Sequence, residues 1–177
     1  MSSVVISGDT SGSITLAAPA VAGTNTLTLP AQTGTIMVNG PAFSAYSSST
    51  VSVANTTFTK VTCDTEDYDT NSNFASSRFT PTVAGYYQFN VTCSALSNTA
   101  VGQAMVTFYK NGTRFLDGQF ESVSATANTY KTACGIIYCN GSTDYVEVYV
   151  YQTTGLTMSM GTNGSTQKFT GCLIRTA

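Results

Sequence analysis

The sequence has no histidine and no tryptophan, and only 9% of its 177 residues carry a charge. The missing histidine removes Ser-His-Asp and Cys-His nucleophile arrangements, and His-based zinc sites, in one step. No Cys-x-x-Cys pair occurs, and no glycine-rich phosphate loop opens a helix. A catalytic centre needs titratable groups set against one another, so the expectation is a protein that is not an enzyme. Basic residues are scarce and scattered: Lys60, Arg78, Lys110, Arg114, Lys131, Lys168 and Arg175, in a chain of net charge −2. Phosphate backbones are bound by clustered Lys and Arg, so no nucleic acid partner is expected. Long apolar runs are missing too. Nothing approaches the ~20 residues of a membrane span, and Met1-Ser2-Ser3 lacks the basic start of a secretory signal. The expectations are no membrane insertion, and synthesis and folding in a cytoplasm.

What is present is β-sheet pattern. Helical periodicity is absent, and short runs rich in Val, Thr, Tyr and Phe are punctuated by Gly, Asn and Ser, which predicts an all-β sandwich. Along one such run Tyr87, Phe89, Val91 and Cys93 alternate onto a single face. Residues 144–151 alternate as cleanly, with Val146, Val148 and Val150 on one side and Tyr145, Glu147, Tyr149 and Tyr151 on the other. Asn111-Gly112 and Asn140-Gly141 read as hairpin turns, and residues 167–176 form the last strand. Five cysteines at irregular spacing (Cys63, Cys93, Cys134, Cys139 and Cys172) fit free, mostly buried thiols. Cys134 and Cys139 would face opposite ways on one strand.

Residues 1–40 differ. Ile14-Thr15-Leu16, Leu27-Thr28-Leu29-Pro30 and Thr33-Gly34-Thr35-Ile36-Met37-Val38 are short β signals, and no aromatic residue precedes Phe43. About forty residues without one large side chain can hardly build a core of their own. The expected organisation is an arm over 1–40, finding partners outside its own protomer, and a sandwich over 41–177, with Asn39-Gly40-Pro41 at the boundary.

Tyr68-Asp69, then Phe79-Thr80, then Gly85-Tyr86-Tyr87-Gln88-Phe89 resemble the signature of the complement globular-head family, which shares its jelly roll with tumour necrosis factor. Ser142-Thr143-Asp144-Tyr145-Val146-Glu147-Val148 is similar to that family's penultimate motif, and Phe169-Thr170-Gly171-Cys172-Leu173-Ile174 to its closing strand. The resemblance covers residues 43–177 and implies a jelly-roll β-sandwich assembled as a homotrimer. Tyr87, Phe89, Val146, Val148, Phe169 and Leu173 would form the protomer's interior. The family packs a second apolar sheet face around a threefold axis, which makes Tyr145, Tyr149 and Tyr151 the candidate trimer contact, against ordinary sheet-surface tyrosine. The gap between Tyr68-Asp69 and Phe79 is longer than the family's and implies an expanded loop. Within the arm, Gly12-Ser13-Ile14-Thr15-Leu16-Ala17-Ala18-Pro19 and Gly23-Thr24-Asn25-Thr26-Leu27-Thr28-Leu29-Pro30 are similar to segments of phage fibre and virion surface proteins.

Together these imply a bacteriophage virion surface protein made in the host cytoplasm, a capsid decoration protein or a short head or tail fibre. The arm would dock on a capsid or tail protein. Forty extended residues reach at most ~130 Å, which suits a short projection. The alternative is an adhesin module that binds a host surface glycan or receptor through its distal loops. Asp64, Glu66, Asp67 and Asp69 are a candidate calcium site in a long loop, or simply a solvated acidic loop. No other cofactor is expected.

Overall fold

The computed structural model describes residues 3–17, 20–21, 23–24, 26, 31, 40–95, 101–123, 128–160 and 164–177. The arm signals at 27–30 and 33–38, and Asn39 of the expected boundary at 39–41, lie outside the described residues. Every regular element among those described is a β-strand, and the chain divides into two compact units, Met1–Thr35 and Ile36–Ala177.

The first unit holds a hairpin of β1 (Ser3–Ser7) and β2 (Ser13–Ala17). Ile14-Thr15-Leu16 lies in β2; its partner, the Val4-Val5-Ile6 run, was not singled out in the sequence. The register sets Val4 opposite Leu16 and Ile6 opposite Ile14. One face of the hairpin is therefore wholly apolar, and all four side chains are exposed. A two-stranded hairpin is marginal alone in water.

The second unit, the head, carries the remaining strands: β3 (Ala42–Tyr46), β4 (Val51–Val53), β5 (Thr59–Lys60), β6 (Thr65–Asp69), β7 (Phe74–Ala75), β8 (Arg78–Phe79) and β9 (Ala84–Ala95). They continue as β10 (Gly102–Lys110), β11 (Thr113–Asp117), β12 (Glu121–Val123), β13 (Thr129–Asn140), β14 (Val146–Gln152), β15 (Met158–Met160) and β16 (Gln167–Thr176). In one sheet β9 is flanked by β13 and β16, with β3 and then β6 beyond β16, and β15 and β4 paired at the far end of β9. The other sheet runs β11-β10-β14-β8-β7, with β12 on β10 and β5 on β14.

The core between the sheets is aromatic. Tyr87, Phe89, Val146, Val148, Phe169 and Leu173 are all buried in it. Phe43 stacks on Phe79 at 4.4 Å and meets Phe169 edge-on at 4.8 Å. Phe89 has Gly135 opposite it on one neighbouring strand and Gly171 on the other. A Cβ at Gly171 would lie 2.7 Å from both the Phe43 and Phe89 rings, so the large ring fits because its neighbour there has no side chain.

Two turn assignments part company. Asn111 and Gly112 both take positive φ (53° and 75°) between β10 and β11, the two-residue hairpin that Asn-Gly favours. Asn140-Gly141 is no hairpin: β13 and β14 belong to opposite sheets. Asn140 instead turns its side-chain oxygen on the following amides, accepting from Ser142, Thr143 and Asp144 N–H at 2.9–3.0 Å. This local cap competes with the hairpin and wins. The expanded stretch before Phe79 is likewise structured: β7 and β8 form a tight hairpin through Ser76 and Ser77, both at positive φ (53° and 58°).

Candidate functional site

Strand β14 points Val146, Val148 and Val150 into the core and leaves Glu147, Tyr149 and Tyr151 outward, with Tyr145 just ahead of it. That outward face is largely covered by its own chain. Lys60 of β5 and Arg78 of β8 close on Glu147, at 2.7 and 2.8 Å from Oε1, leaving its side chain 3% exposed. Burial alone would raise the Glu147 pKa. The hydrogen bonds from Lys60 and Arg78 and their charges outweigh it and leave the carboxyl below its ordinary range. The Arg78 guanidinium lies 3.9 Å over the Tyr145 ring. Tyr149 stacks on Tyr109 at 3.9 Å, and Tyr151 is tilted against Phe58 at 4.6 Å and Phe120 at 6.1 Å. Burial, then the Glu147 carboxylate, pushes the Tyr149 hydroxyl up. The structure thus gathers Tyr145, Tyr149 and Tyr151 in one row, as part of an intramolecular aromatic layer.

The open apolar face is on the other sheet. Beyond the core-facing residues of β9, β13 and β16 stand Tyr86 (44% exposed), Ile136 (55%), Tyr138 (41%) and Ile174 (44%). The registers place Tyr138 opposite Tyr86, and Ile136 opposite Gln88, which is in turn opposite Cys172. The Tyr86 and Tyr138 rings are 5.5 Å apart. Tyr86, Ile136 and Ile174 border a shallow hollow of about 500 Å³ that runs to Ala177. Further along the same face the side chains turn polar, with Asn90, Thr92, Thr132 and Thr170. Sequence reasoning passed over this patch. The signal was available: Ile136, Ile137 and Tyr138 are consecutive, so that strand is apolar on both faces, as β14 is.

The four acidic residues are dispersed. They border and occupy β6, an edge strand paired to β3, and not a loop; edge strands tolerate charge because it discourages pairing with another chain. Asp64 accepts from the Ser48 amide and hydroxyl, both at 2.7 Å, and these bonds hold its carboxyl below the usual range. Asp67 pairs with Lys168 and accepts from Ser44 Oγ, which lowers it too. Asp69 accepts from the Phe74 amide at 2.7 Å, and Glu66 is exposed. Each acid with a partner is tied to a different segment. Among the described residues no three His, Cys, Asp or Glu side chains converge as metal ligands would.

No disulfide links the five cysteines; Cys63, Cys93 and Cys139 are buried, while Cys134 and Cys172 are exposed. Both exposed thiols lie on the β9–β13–β16 face.

No family model matches the chain, and no curated protein matches it. Solved structures do. The globular domain of the zebrafish complement 1qA protein is similar at 18% identity and a TM-score of 0.56, covering 77% of this chain and 99% of that one. Murine APRIL is similar at 9% identity and a TM-score of 0.58, covering 77% of this chain and 100% of that one. The PRD1 vertex protein P5 is similar at 19% identity and a TM-score of 0.52, covering 76% of this chain and 97% of that one. With two antiparallel sheets closed on an aromatic core, the head is a jelly roll of the complement-head and tumour-necrosis-factor kind.

Proposed function

We propose that this chain is a non-enzymatic structural protein of a bacteriophage virion surface, a homotrimeric capsid decoration protein or short head or tail fibre. The observation that carries this reading is the open apolar face of Tyr86, Ile136, Tyr138 and Ile174. Contiguous apolar surface of this kind on a soluble domain marks an interaction site. Its occupant is a second copy of the chain: the patch is aromatic and aliphatic at its centre and polar towards Asn90 and Thr170, as an association interface is. The jelly-roll resemblance supplies the threefold arrangement. The likeness to the vertex protein of the phage PRD1 supports a particle surface as the setting. The arm supplies the attachment to a capsid or tail protein, through the apolar hairpin face of Val4, Ile6, Ile14 and Leu16 and its open strand edges.

Sedimentation equilibrium of the full chain tests the assembly, and a species of three 18.5 kDa chains is expected. A monomer persisting at micromolar concentration would overturn it. Imaging of particles reconstituted with the full chain and with a 1–38 deletion tests the arm. The deletion is expected to stay folded and fail to decorate; normal decoration by it would move docking to the head.

A further inference from the structure

A second surface of the head has a different chemistry. On the outer side of the β10–β14 sheet lies a cleft of about 420 Å³ bordered by Phe58, Met105, Arg114, Asp117, Phe120 and Tyr151. Met105 and Tyr151 are direct cross-strand partners. The Phe58 and Phe120 rings lie 4.6 and 6.1 Å from that of Tyr151. Phe120 is 42% exposed, so part of its side chain is open to a ligand.

The wall that carries Phe120 is firmly held. The Gly118 amide donates to the Val106 carbonyl at 2.9 Å. A Cβ at Gly118 would fall 2.3 Å from the Thr132 carbonyl oxygen and 2.6 Å from that of Val106. Only glycine lets the turn at 118–120 approach two strands this closely, and the approach fixes the direction in which Phe120 leaves the sheet. The cleft is formed before any ligand arrives, which lowers the cost of binding.

Its charged component is a single balanced pair. Arg114 Nε donates to Asp117 Oδ1 at 2.7 Å and Nη2 to Oδ2 at 2.5 Å. Thr107 Oγ1 donates to the same carboxylate at 2.9 Å. The guanidinium lies 4.9 Å over the Phe58 ring. Because the Arg114 charge is already matched, an anionic ligand would have to displace Asp117, and a cationic one would meet Arg114. A purely apolar ligand would bury the pair without replacing its contacts with water. Hydroxyl groups both donate and accept, so they can give to the free lone pairs of Asp117 and receive from the remaining Arg114 N–H groups. The aromatic faces, with their negative quadrupole, attract the polarised C–H groups on one side of a pyranose ring. Small-ligand sites have this make-up and size, mostly apolar with a few placed polar groups.

We propose that this cleft is a binding site for a neutral hexopyranose, either a free sugar or the terminal residue of a surface glycan, stacked on Phe120 and Tyr151 and hydrogen-bonded to the Arg114–Asp117 pair. The proposal goes beyond the assembly reading and does not depend on it, because the cleft and the open apolar face lie on opposite sheets. In a trimer three such sites would act together on a multivalent glycan.

The test is saturation-transfer NMR on the full chain with methyl glycosides of galactose, glucose, mannose and N-acetylglucosamine, followed by a panel of immobilised glycans ending in whichever sugar responds. Methyl sialoside and inorganic phosphate serve as anionic comparisons. At least one neutral glycoside is expected to respond through its ring C–H protons. Phe120→Ala is expected to weaken that response about fivefold or more. Phe120→Leu, which keeps apolar bulk but removes the ring face, is expected to do the same, so the result does not rest on one variant's folding. Asp117→Asn should also weaken it, and Phe115→Ala, an exposed ring outside the cleft, should not. Silence from every neutral glycoside, a response only to the anions, or full binding by both Phe120 variants would each overturn the proposal. Sedimentation of the same samples reports separately on assembly.

Discussion

Two sheet faces of the head carry outward tyrosines, and they meet different fates. On β14, Tyr149 and Tyr151 are half-buried because other segments of the head fold back over them, bringing Phe58, Lys60 and Arg78. On β9 and β13, Tyr86 and Tyr138 stay open beside Ile136 and Ile174, and no described segment of the head covers them. The local patterns are nearly the same, apolar on both parities of a strand. What differs is non-local: one strand has β5 and β8 as neighbours with long charged side chains, and the other faces outward across a sheet of long strands. Alternation tells which side chains share a face. Coverage of that face is decided elsewhere in the chain.

The largest expected effect separates the two faces by assembly. Ile136→Asp would set carboxylates against one another in a desolvated contact, and the expected sedimentation result is conversion of the proposed trimer to monomers. Tyr149→Asp is expected to leave the stoichiometry unchanged. It should cost about 1–3 kcal/mol of stability in denaturant melts, because it breaks the Tyr109 stack and places a second carboxylate near Glu147. The reverse pattern would return the interface to the tyrosines of β14.

Next comes the contrast within β9 itself. Phe89 is fully buried among Phe43, Phe108 and Phe169, and Gln88 points to the open face. Phe89→Ala is expected to cost about 3–5 kcal/mol through lost burial and the cavity left behind. Gln88→Ala should cost under about 1 kcal/mol in the isolated protomer. Equal small losses at both positions in urea melts would mean that β9 is not a core strand.

The core was legible in the sequence because its signals are local. Tyr87, Phe89, Val146, Val148, Phe169 and Leu173 alternate along strands whose Gly and Asn punctuation sits at the chain's real turns or close to them. The Gln167–Thr176 strand has the expected bounds. The cover on β14 was not legible, since Lys60 and Arg78 reach Glu147 from 87 and 69 residues away. The acidic run read as a loop because Glu66, Asp67 and Asp69 are residue types depleted in strands; its ladder is supplied by β3. Asn140-Gly141 carries a hairpin signature that a side-chain cap overrides. The sugar-sized cleft joins Phe58, Arg114, Phe120 and Tyr151 from four separate stretches, and no spacing in the sequence announces it.

The strap over β14 can be weakened without touching the open face. Glu147→Gln keeps the shape of the side chain but removes the charge that Lys60 and Arg78 share, with an expected loss of about 1–3 kcal/mol at pH 7. Acid should act in the same direction on the natural protein. A carboxyl whose folded pKa is depressed adds stability above its unfolded pKa, and that stability is lost as pH falls through the lower folded value. Melting temperatures between pH 6 and pH 3 should therefore fall more steeply for the natural chain than for Glu147→Gln. Asp64, Asp67, Asp117 and Asp144 are depressed as well, but they are present in both proteins, so the difference isolates Glu147. Parallel slopes would mean that the ion pairs on this face add no net stability.

The gentlest perturbation is the most direct report on which face is covered. Cys134→Ser and Cys172→Ser replace exposed side chains and should each change protomer stability by no more than about 0.5 kcal/mol. Left in place, these two thiols are chemical reporters. They stand on the β9–β13–β16 face, opposite Asn90 and Gln88 respectively, and no cysteine lies on the β14 strand. The other three are silent in the folded chain: burial pushes Cys63 and Cys93 up to about 12 and Cys139 to about 11, which leaves almost no thiolate to react at neutral pH. Brief treatment with iodoacetamide, followed by mass spectrometry of the peptides, then reads the occupancy of one face alone. In the assembled protein, alkylation of Cys134 and Cys172 is expected to be slow. In the Ile136→Asp monomer it should be fast at both, while the three buried thiols stay unmodified until the chain is unfolded. Rapid labelling of both positions in a species that sediments as a trimer would place the subunit contact on another surface, and the open face of β9 would need a different partner.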